Sequence, residues 1–77
     1  MSRTAEIYVS LLGEGVDVWR QVQAEHLRGN LYRILVQSYD RMSESWQFEP
    51  DDEVVCEMID SSEGRILAAV RPVHPPR

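Results

Sequence analysis

Apolar and polar residues alternate with a period of two along much of the chain, which is the pattern of strands that bury one face. In residues 6–12, for example, Ile7, Val9 and Leu11 all fall on one face. Such alternation predicts strands over residues 6–12, 16–27, 31–36, 46–48, 54–59 and 65–70. No stretch keeps the 3.6-residue period of a helix, so we expect helix only as a turn or two within the polar residues 37–45.

Turn signals separate the predicted strands. They are Gly13-Glu14-Gly15, Gly29-Asn30, a type I corner at Pro50-Asp51 and a hairpin at residues 61–64. Short strands joined by such turns are typical of a small barrel, whose closure removes exposed strand edges. We therefore predict one all-β domain over residues 1–71, a five- or six-stranded SH3-like barrel, with an OB-like barrel as the alternative. Residues 72–77 contain three prolines, which lack the N–H of a strand ladder, and are predicted as a flexible tail.

The second predicted strand is long, and it contains the residue most informative about surface contacts. On strict alternation Val18, Val22 and Ala24 share the inner face, which places Trp19 on the outer face. A twelve-residue strand favours a bend or bulge, and we expect it near Arg20. A bulge there would turn Trp19 into the core, whereas a regular strand would leave it covered by a loop or in a contact surface. The sequence leaves both interpretations open.

Two stretches of sequence resemble known patterns. Residues 15–35, GVDVWRQVQAEHLRGNLYRIL, and residues 46–57, WQFEPDDEVVCE, resemble small uncharacterised bacterial proteins with a DVWRxV…YRI…WxFxPxDxVxCE pattern. The resemblance implies no activity. The chain has Gln21 where that pattern favours Pro, and Asp51 where it favours Gly. Residues 48–56 also resemble the F-x-x-G-D-x-I-x-V turn and strand of SH3-like barrels, but the ALYDY-like peptide-binding stretch is absent, so this likeness implies fold alone.

Charge is distributed unevenly along the chain. The net charge is −5, while residues 44–63 carry eight acidic residues and no basic one. All eight basic residues are arginines. Because phosphate neutralisation supplies most of the non-specific affinity for nucleic acid, the acidic balance argues against that partner. The alternative function is an RNA- or single-strand-binding barrel. Nucleic-acid bases would stack on aromatic side chains, namely Tyr8, Trp19, Tyr32, Tyr39 and Trp46, and a local basic face within residues 20–33 would neutralise phosphates through Arg20, Arg28 and Arg33.

Candidate catalytic and metal-ligating residues are few. The acidic run at residues 49–53 has no glycine and lacks the alternate ligand spacing of a calcium loop. His26, Cys56 and His74 do not match a zinc-ligand spacing. Cys56 shares its face with Val54 and Met58, so we expect a buried structural thiol rather than a nucleophile. The sequence therefore predicts a non-enzymatic domain with no metal and no cofactor.

The remaining function class is a protein-interaction or self-associating domain. We predict that Trp19, Arg20, Arg33 and Trp46 form its binding surface, since aromatic residues and arginines are enriched in interfaces. The partner would be another protein or a second copy in a weak homodimer. The N-terminal stretch lacks the features of a signal peptide, and no apolar run reaches the length of a membrane span. We therefore expect a cytoplasmic protein without membrane contacts.

Overall fold

The computed structural model describes residues 3–15 and 18–73, and its regular elements are five β-strands. The strands are β1 (Arg3–Ser10), β2 (Trp19–Arg28), β3 (Leu31–Ile34), β4 (Glu53–Ser61) and β5 (Gly64–Pro72). They form a closed barrel in which spatial order equals chain order. This confirms the predicted all-β barrel, with five strands. Chain-order pairing matches the SH3-like expectation and differs from the Greek-key order that defines an OB-fold.

Antiparallel pairs build most of the barrel, and one parallel contact closes it. β1 pairs with β2 from Arg3↔His26 to Ser10↔Trp19, and β4 pairs with β5 along nearly its whole length. The first and last strands run in parallel and meet at Tyr8↔Ala68. The barrel therefore closes through a short parallel contact, because an odd number of alternating strands leaves its two ends running the same way.

The core consists of inward-facing apolar side chains from all five strands, together with two aromatic residues that precede β4. Its buried members are Ile7, Val9, Leu11, Val22, Ala24, Ile34, Trp46, Phe48, Val54, Cys56 and Ala69. Cys56 is 1% exposed, which confirms that its thiol is buried. Within the described residues the structure contains no helix able to cross a membrane.

The long second strand is regular where a bulge was expected. Trp19 and Arg20 keep consecutive register with Ser10 and Val9 of β1, and the irregularity falls between His26 and Arg28 instead. The predicted bulge near Arg20 is therefore wrong. The irregularity lies beside the Gly29-Asn30 turn, where the pairing of β2 with β3 shifts in register. The first two residues of the predicted strand, 16 and 17, lie outside the described part.

Two further local predictions need correction. Residues 46–48 do alternate in burial, but they make only an isolated bridge between Trp46 and Leu11 rather than a strand. Pro72, assigned above to the tail, ends β5 opposite Val54, and the N–H of Val73 supplies the next bond to the barrel. A strand end tolerates proline when the following residue provides the donor. Residues 74–77 of the predicted tail lie outside the described part.

The corner at residues 49–52 has a different geometry from the predicted type I turn. The N–H of Asp52 donates to the carbonyl of Glu49 at 3.0 Å, which confirms a turn at this place. Asp51 has a φ of 75°, a value that excludes type I and is typical of the third position of a type II turn. Glycine adopts this conformation without steric cost, whereas aspartate adopts it with strain.

Candidate interaction groove

One edge of β2 has no strand partner along its first residues. The N–H of Leu11 donates to the carbonyl of Val18, so the backbone N–H and C=O groups of even-numbered residues in this part of the chain point to β1. Backbone groups alternate in direction along a strand, and Trp19 and Gln21 therefore face the opposite edge. β3 pairs with that edge only from Ala24 onwards. Within the described residues no backbone hydrogen bond satisfies this side of Trp19 and Gln21.

The side chain of Gln37 ends the β2–β3 ladder by imitating a peptide group. Its Oε1 accepts the N–H of Gln23 at 3.0 Å, and its Nε2 donates to the carbonyls of Gln23 at 2.9 Å and Leu35 at 2.7 Å. The N–H of Leu35 also donates to the Gln23 carbonyl. The primary amide thus uses a donor and an acceptor together, as a strand backbone does. It fixes the point at which the chain leaves β2.

An aromatic stack anchors the segment that follows. The rings of Tyr39 and Trp46 are nearly parallel, with centroids 4.1 Å apart, and the hydroxyl of Tyr39 accepts the N–H of Trp46 at 2.7 Å. The guanidinium carbon of Arg41 lies 4.4 Å from the centroid of Tyr39. Stacking and cation–π contacts each add to the stability of such an arrangement. Trp46 is 5% exposed, so the stack connects the segment to the core.

Glu44 joins this segment to β2. Its carboxylate forms a bidentate ion pair with Arg20, in which the Arg20 Nε donates to Oε1 at 3.1 Å. The same Oε1 accepts the indole N–H of Trp46 at 2.9 Å. Bidentate arginine–carboxylate pairs fix orientation as well as charge. Arg20, although on the inner-facing parity, is therefore held at the surface.

The intervening turn is fixed by Asp40. The N–H groups of Ser43 and Glu44 donate to its carbonyl at 3.1 and 3.0 Å, which gives one helical-type turn as expected for this segment. The Ser43 hydroxyl and the Met42 N–H donate to its carboxylate. These bonds, the one from the Ser43 side chain above all, lower the pKa of Asp40 below its ordinary value. The carboxylate is thus negatively charged at neutral pH.

Between β2 and this segment lies an open cavity of about 500 Å³, which we call the β2-edge groove. It is lined by Arg20, Gln21, Gln37, Ser38, Asp40, Ser43, Glu44 and Trp46. Arg20 and Gln21 point to opposite faces of β2, so a groove that touches both lies against the edge of the strand. The lining is rich in amides and hydroxyls and carries one positive and two negative groups.

The structure separates the four predicted binding residues. Arg20 and Trp46 line the β2-edge groove together. Trp19 lies on the outer face of the same strand, half-buried and outside the core. Its indole N–H has no hydrogen-bond partner among the described residues. Arg33 lies in β3, ion-paired with Glu25 across the β2–β3 ladder, and does not line the groove.

Sequence reasoning missed Gln37, Asp40 and Glu44, which build the wall of the groove together with Tyr39, a residue named above only as a stacking surface for nucleic-acid bases. The stretch between residues 37 and 45 has no periodicity, so its polar side chains gave no sign that they bond to β2. A glutamine directly after a strand is a weak signal on its own, because its side-chain amide imitates a strand only when the backbone geometry is known.

Other chemistry-bearing groups lie away from the groove. Burial raises the pKa of Cys56 to about 12, so the thiol is neutral and unreactive at physiological pH. Within the described residues no group of three or more metal-ligating side chains comes together. His26 stacks on Tyr32 and bonds through its Nε2 to the carbonyl of Gly29. The stack and this hydrogen bond explain the position of the His26 ring by local packing.

Comparisons with known proteins add no assignment. No family model matches the chain, and neither a curated protein nor a solved structure does. The class that the fold defines, a small closed β-barrel in chain order, therefore carries no function with it.

Proposed function

We propose that the chain is a non-catalytic protein-interaction domain that binds a partner protein in the β2-edge groove. The observation that carries this proposal is the combination of an unpaired strand edge with a wall of amides and hydroxyls held in place by Glu44 and the Tyr39–Trp46 stack. Such groups recognise the N–H and C=O of another backbone. A rigid wall also lowers the entropy cost of binding.

Charge supports a protein partner over nucleic acid. Five of the seven arginines in residues 3–15 and 18–73 are ion-paired, with Glu25, Glu44, Glu49, Glu57 and Asp60. The arginine of the groove is one of these. A phosphate would have to compete with the carboxylate already bound to Arg20, and it would approach Asp40 as well. A peptide meets neither obstacle.

A variant that fills the groove tests the function. Ser38 is exposed and lines the groove, so Ser38→Trp should block it without touching the core. Ser62→Trp, at an exposed position in the β4–β5 turn that does not line the groove, is the matched control. We expect affinity capture from lysate of the source cells to retain a common partner with the wild type and Ser62→Trp, and to lose it with Ser38→Trp. Equal capture by all three proteins would contradict the proposal.

A further inference from the structure

The unpaired edge of β2 has room for one more strand. β3 ends at Ile34, and the chain then turns away to form the far wall of the groove. The backbone groups of Trp19 and Gln21 face the space that a longer β3 would have occupied. An unpaired edge of this kind is a ready template for another chain.

We propose that an extended segment of the partner adds to β2 at Trp19–Gln21 as a further strand, and that this segment carries a lysine or arginine. The inference rests on the proposed function and names the chemistry of its ligand. Main-chain hydrogen bonds to the edge would supply affinity, and the groove lining would select alternate side chains of the added strand.

Gln37 shows that this edge accepts a strand-like partner. Its amide bonds to both the N–H and the C=O of Gln23, at 3.0 and 2.9 Å, in the manner of a neighbouring strand. Gln21, two positions before Gln23, is the next residue of β2 whose backbone N–H and C=O point to this edge. A strand continues that ladder with a repeat of about 7 Å for every two residues. The groove lies along this continuation.

The charges of the lining favour a basic side chain on the added strand. Arg20 is neutralised by Glu44, which leaves Asp40 as the unbalanced charge of the groove. Asp40 has hydrogen bonds from Ser43 and Met42 but no ion pair among the described residues. Opposite charge on the partner would therefore increase both selectivity and the rate of association.

A second copy of the chain is a poorer occupant. In a symmetric dimer the same surface meets itself, so pairing β2 with β2 would bring both groove walls into the interface. Each wall carries the unbalanced charge of Asp40, and these two like charges would oppose each other across the two-fold axis. A single extended segment has no wall of its own.

Substitution of Gln21 by proline tests the strand directly. Proline removes the N–H that faces the open edge, and edge strands tolerate it where that N–H faces solvent. Gln21→Ala keeps the N–H but lacks the side-chain amide that lines the groove, so the difference between Gln21→Pro and Gln21→Ala isolates the main-chain contribution. The probe is a phage-displayed library of random nonapeptides, selected on the wild-type chain and followed by calorimetry on the synthesised peptides. Folding of each variant is checked by two-dimensional NMR.

We expect selected peptides to be enriched in lysine or arginine, and their affinity for Gln21→Ala is the reference for Gln21→Pro. Gln21→Pro should remain folded and lose at least about tenfold in affinity, the effect of removing main-chain bonds. Three results would overturn the added strand: unfolding of Gln21→Pro, failure to select any peptide, or a homodimer that Gln21→Pro dissociates.

The test separates this inference from the proposed function. One outcome is that peptides bind the wild type and Gln21→Pro with equal affinity but fail to bind Ser38→Trp. That result would overturn strand addition alone, because the groove would still bind a protein. If Ser38→Trp and Gln21→Pro both keep the partner, the result would contradict the proposed function and the added strand together. Selection of peptides without basic residues would overturn the charge preference that Asp40 implies.

Discussion

The two tryptophans of the chain have indole N–H groups in opposite states. Trp46 donates to the Glu44 carboxylate at 2.9 Å, whereas the N–H of Trp19 is buried with no partner among the described residues. A buried donor without an acceptor costs about 1–3 kcal/mol, and a hydrogen bond to a charged group stabilises by about 1.5–3 kcal/mol. The same substitution should therefore affect the two positions differently.

We expect Trp19→Phe to leave the free energy of unfolding unchanged or to raise it by up to about 1 kcal/mol, since it removes an unsatisfied donor. Trp46→Phe should lower it by about 2 kcal/mol, since it removes a charge-assisted bond and leaves a smaller ring in the core. Urea denaturation of both variants measures the difference. A loss of more than 2 kcal/mol on Trp19→Phe would show that the Trp19 N–H is satisfied and that its ring is structural.

Cys56 provides a residue-scale test of burial and of pH dependence. Burial raises its pKa from the ordinary value of 9.0 to about 12. In the unfolded chain the thiol ionises near pH 9, whereas in the native barrel it stays protonated, so this group lowers stability as pH rises from about 9 to 12 and has no effect below. We expect a thiol reagent to label the native protein slowly at pH 8 and the urea-unfolded protein rapidly. Rapid labelling of the native protein would contradict the buried position.

At the scale of elements, the sequence predicted which stretches become strands but not how their neighbours are arranged. Period-two alternation located β1, β2 and β4, because one face of each is buried in the barrel. The same pattern could not show that residues 46–48 would remain an isolated bridge, because burial alternates there without a ladder. Asp51 shows a second limit: the corner was recognisable, but its positive φ depends on how residues 49–52 join the core.

The groove wall depends on one side chain that acts as an element of the sheet. Gln37→Ala should lower the free energy of unfolding by about 1–2 kcal/mol, because three partly solvated bonds to Gln23 and Leu35 are lost. Gln37→Glu should cost about as much, since a carboxylate cannot donate to two carbonyls. Thermal denaturation checks both, and Gln47→Ala, at an exposed position nearby, is the control expected to change stability by less than about 0.5 kcal/mol. Equal changes in stability for the three variants would mean that the hydrogen bonds of Gln37 do not stabilise the wall.

At the scale of the whole molecule, closure of the barrel decides which edges are available. Chain-order pairing uses every strand twice, but β3 is only four residues long and cannot cover the ten-residue β2. The groove is therefore a consequence of unequal strand lengths. Strand lengths and order depend on tertiary packing, which explains why the sequence placed Arg20 and Trp46 among the binding residues without showing that they share one groove.

The charge distribution gives a test of the alternative nucleic-acid function. We expect no gel shift with generic single-stranded RNA or DNA at micromolar protein and low salt, because most of the described arginines are already paired with carboxylates. A salt series separates real binding from non-specific retention. Binding that falls steeply as salt is raised would contradict the protein-interaction account and favour a nucleic-acid partner.

Residue-resolved amide hydrogen exchange tests the unpaired edge of β2 most directly. The N–H of Val22 faces β1, in register with Ile7, and should exchange slowly, whereas the N–H groups of Trp19 and Gln21 should exchange quickly in the isolated protein. On addition of a peptide selected for the groove, the Trp19 and Gln21 amides should become protected while Val22 changes little. Slow exchange of Trp19 and Gln21 in the isolated protein, at the rate of Val22, would show that the edge is already paired and would contradict the account.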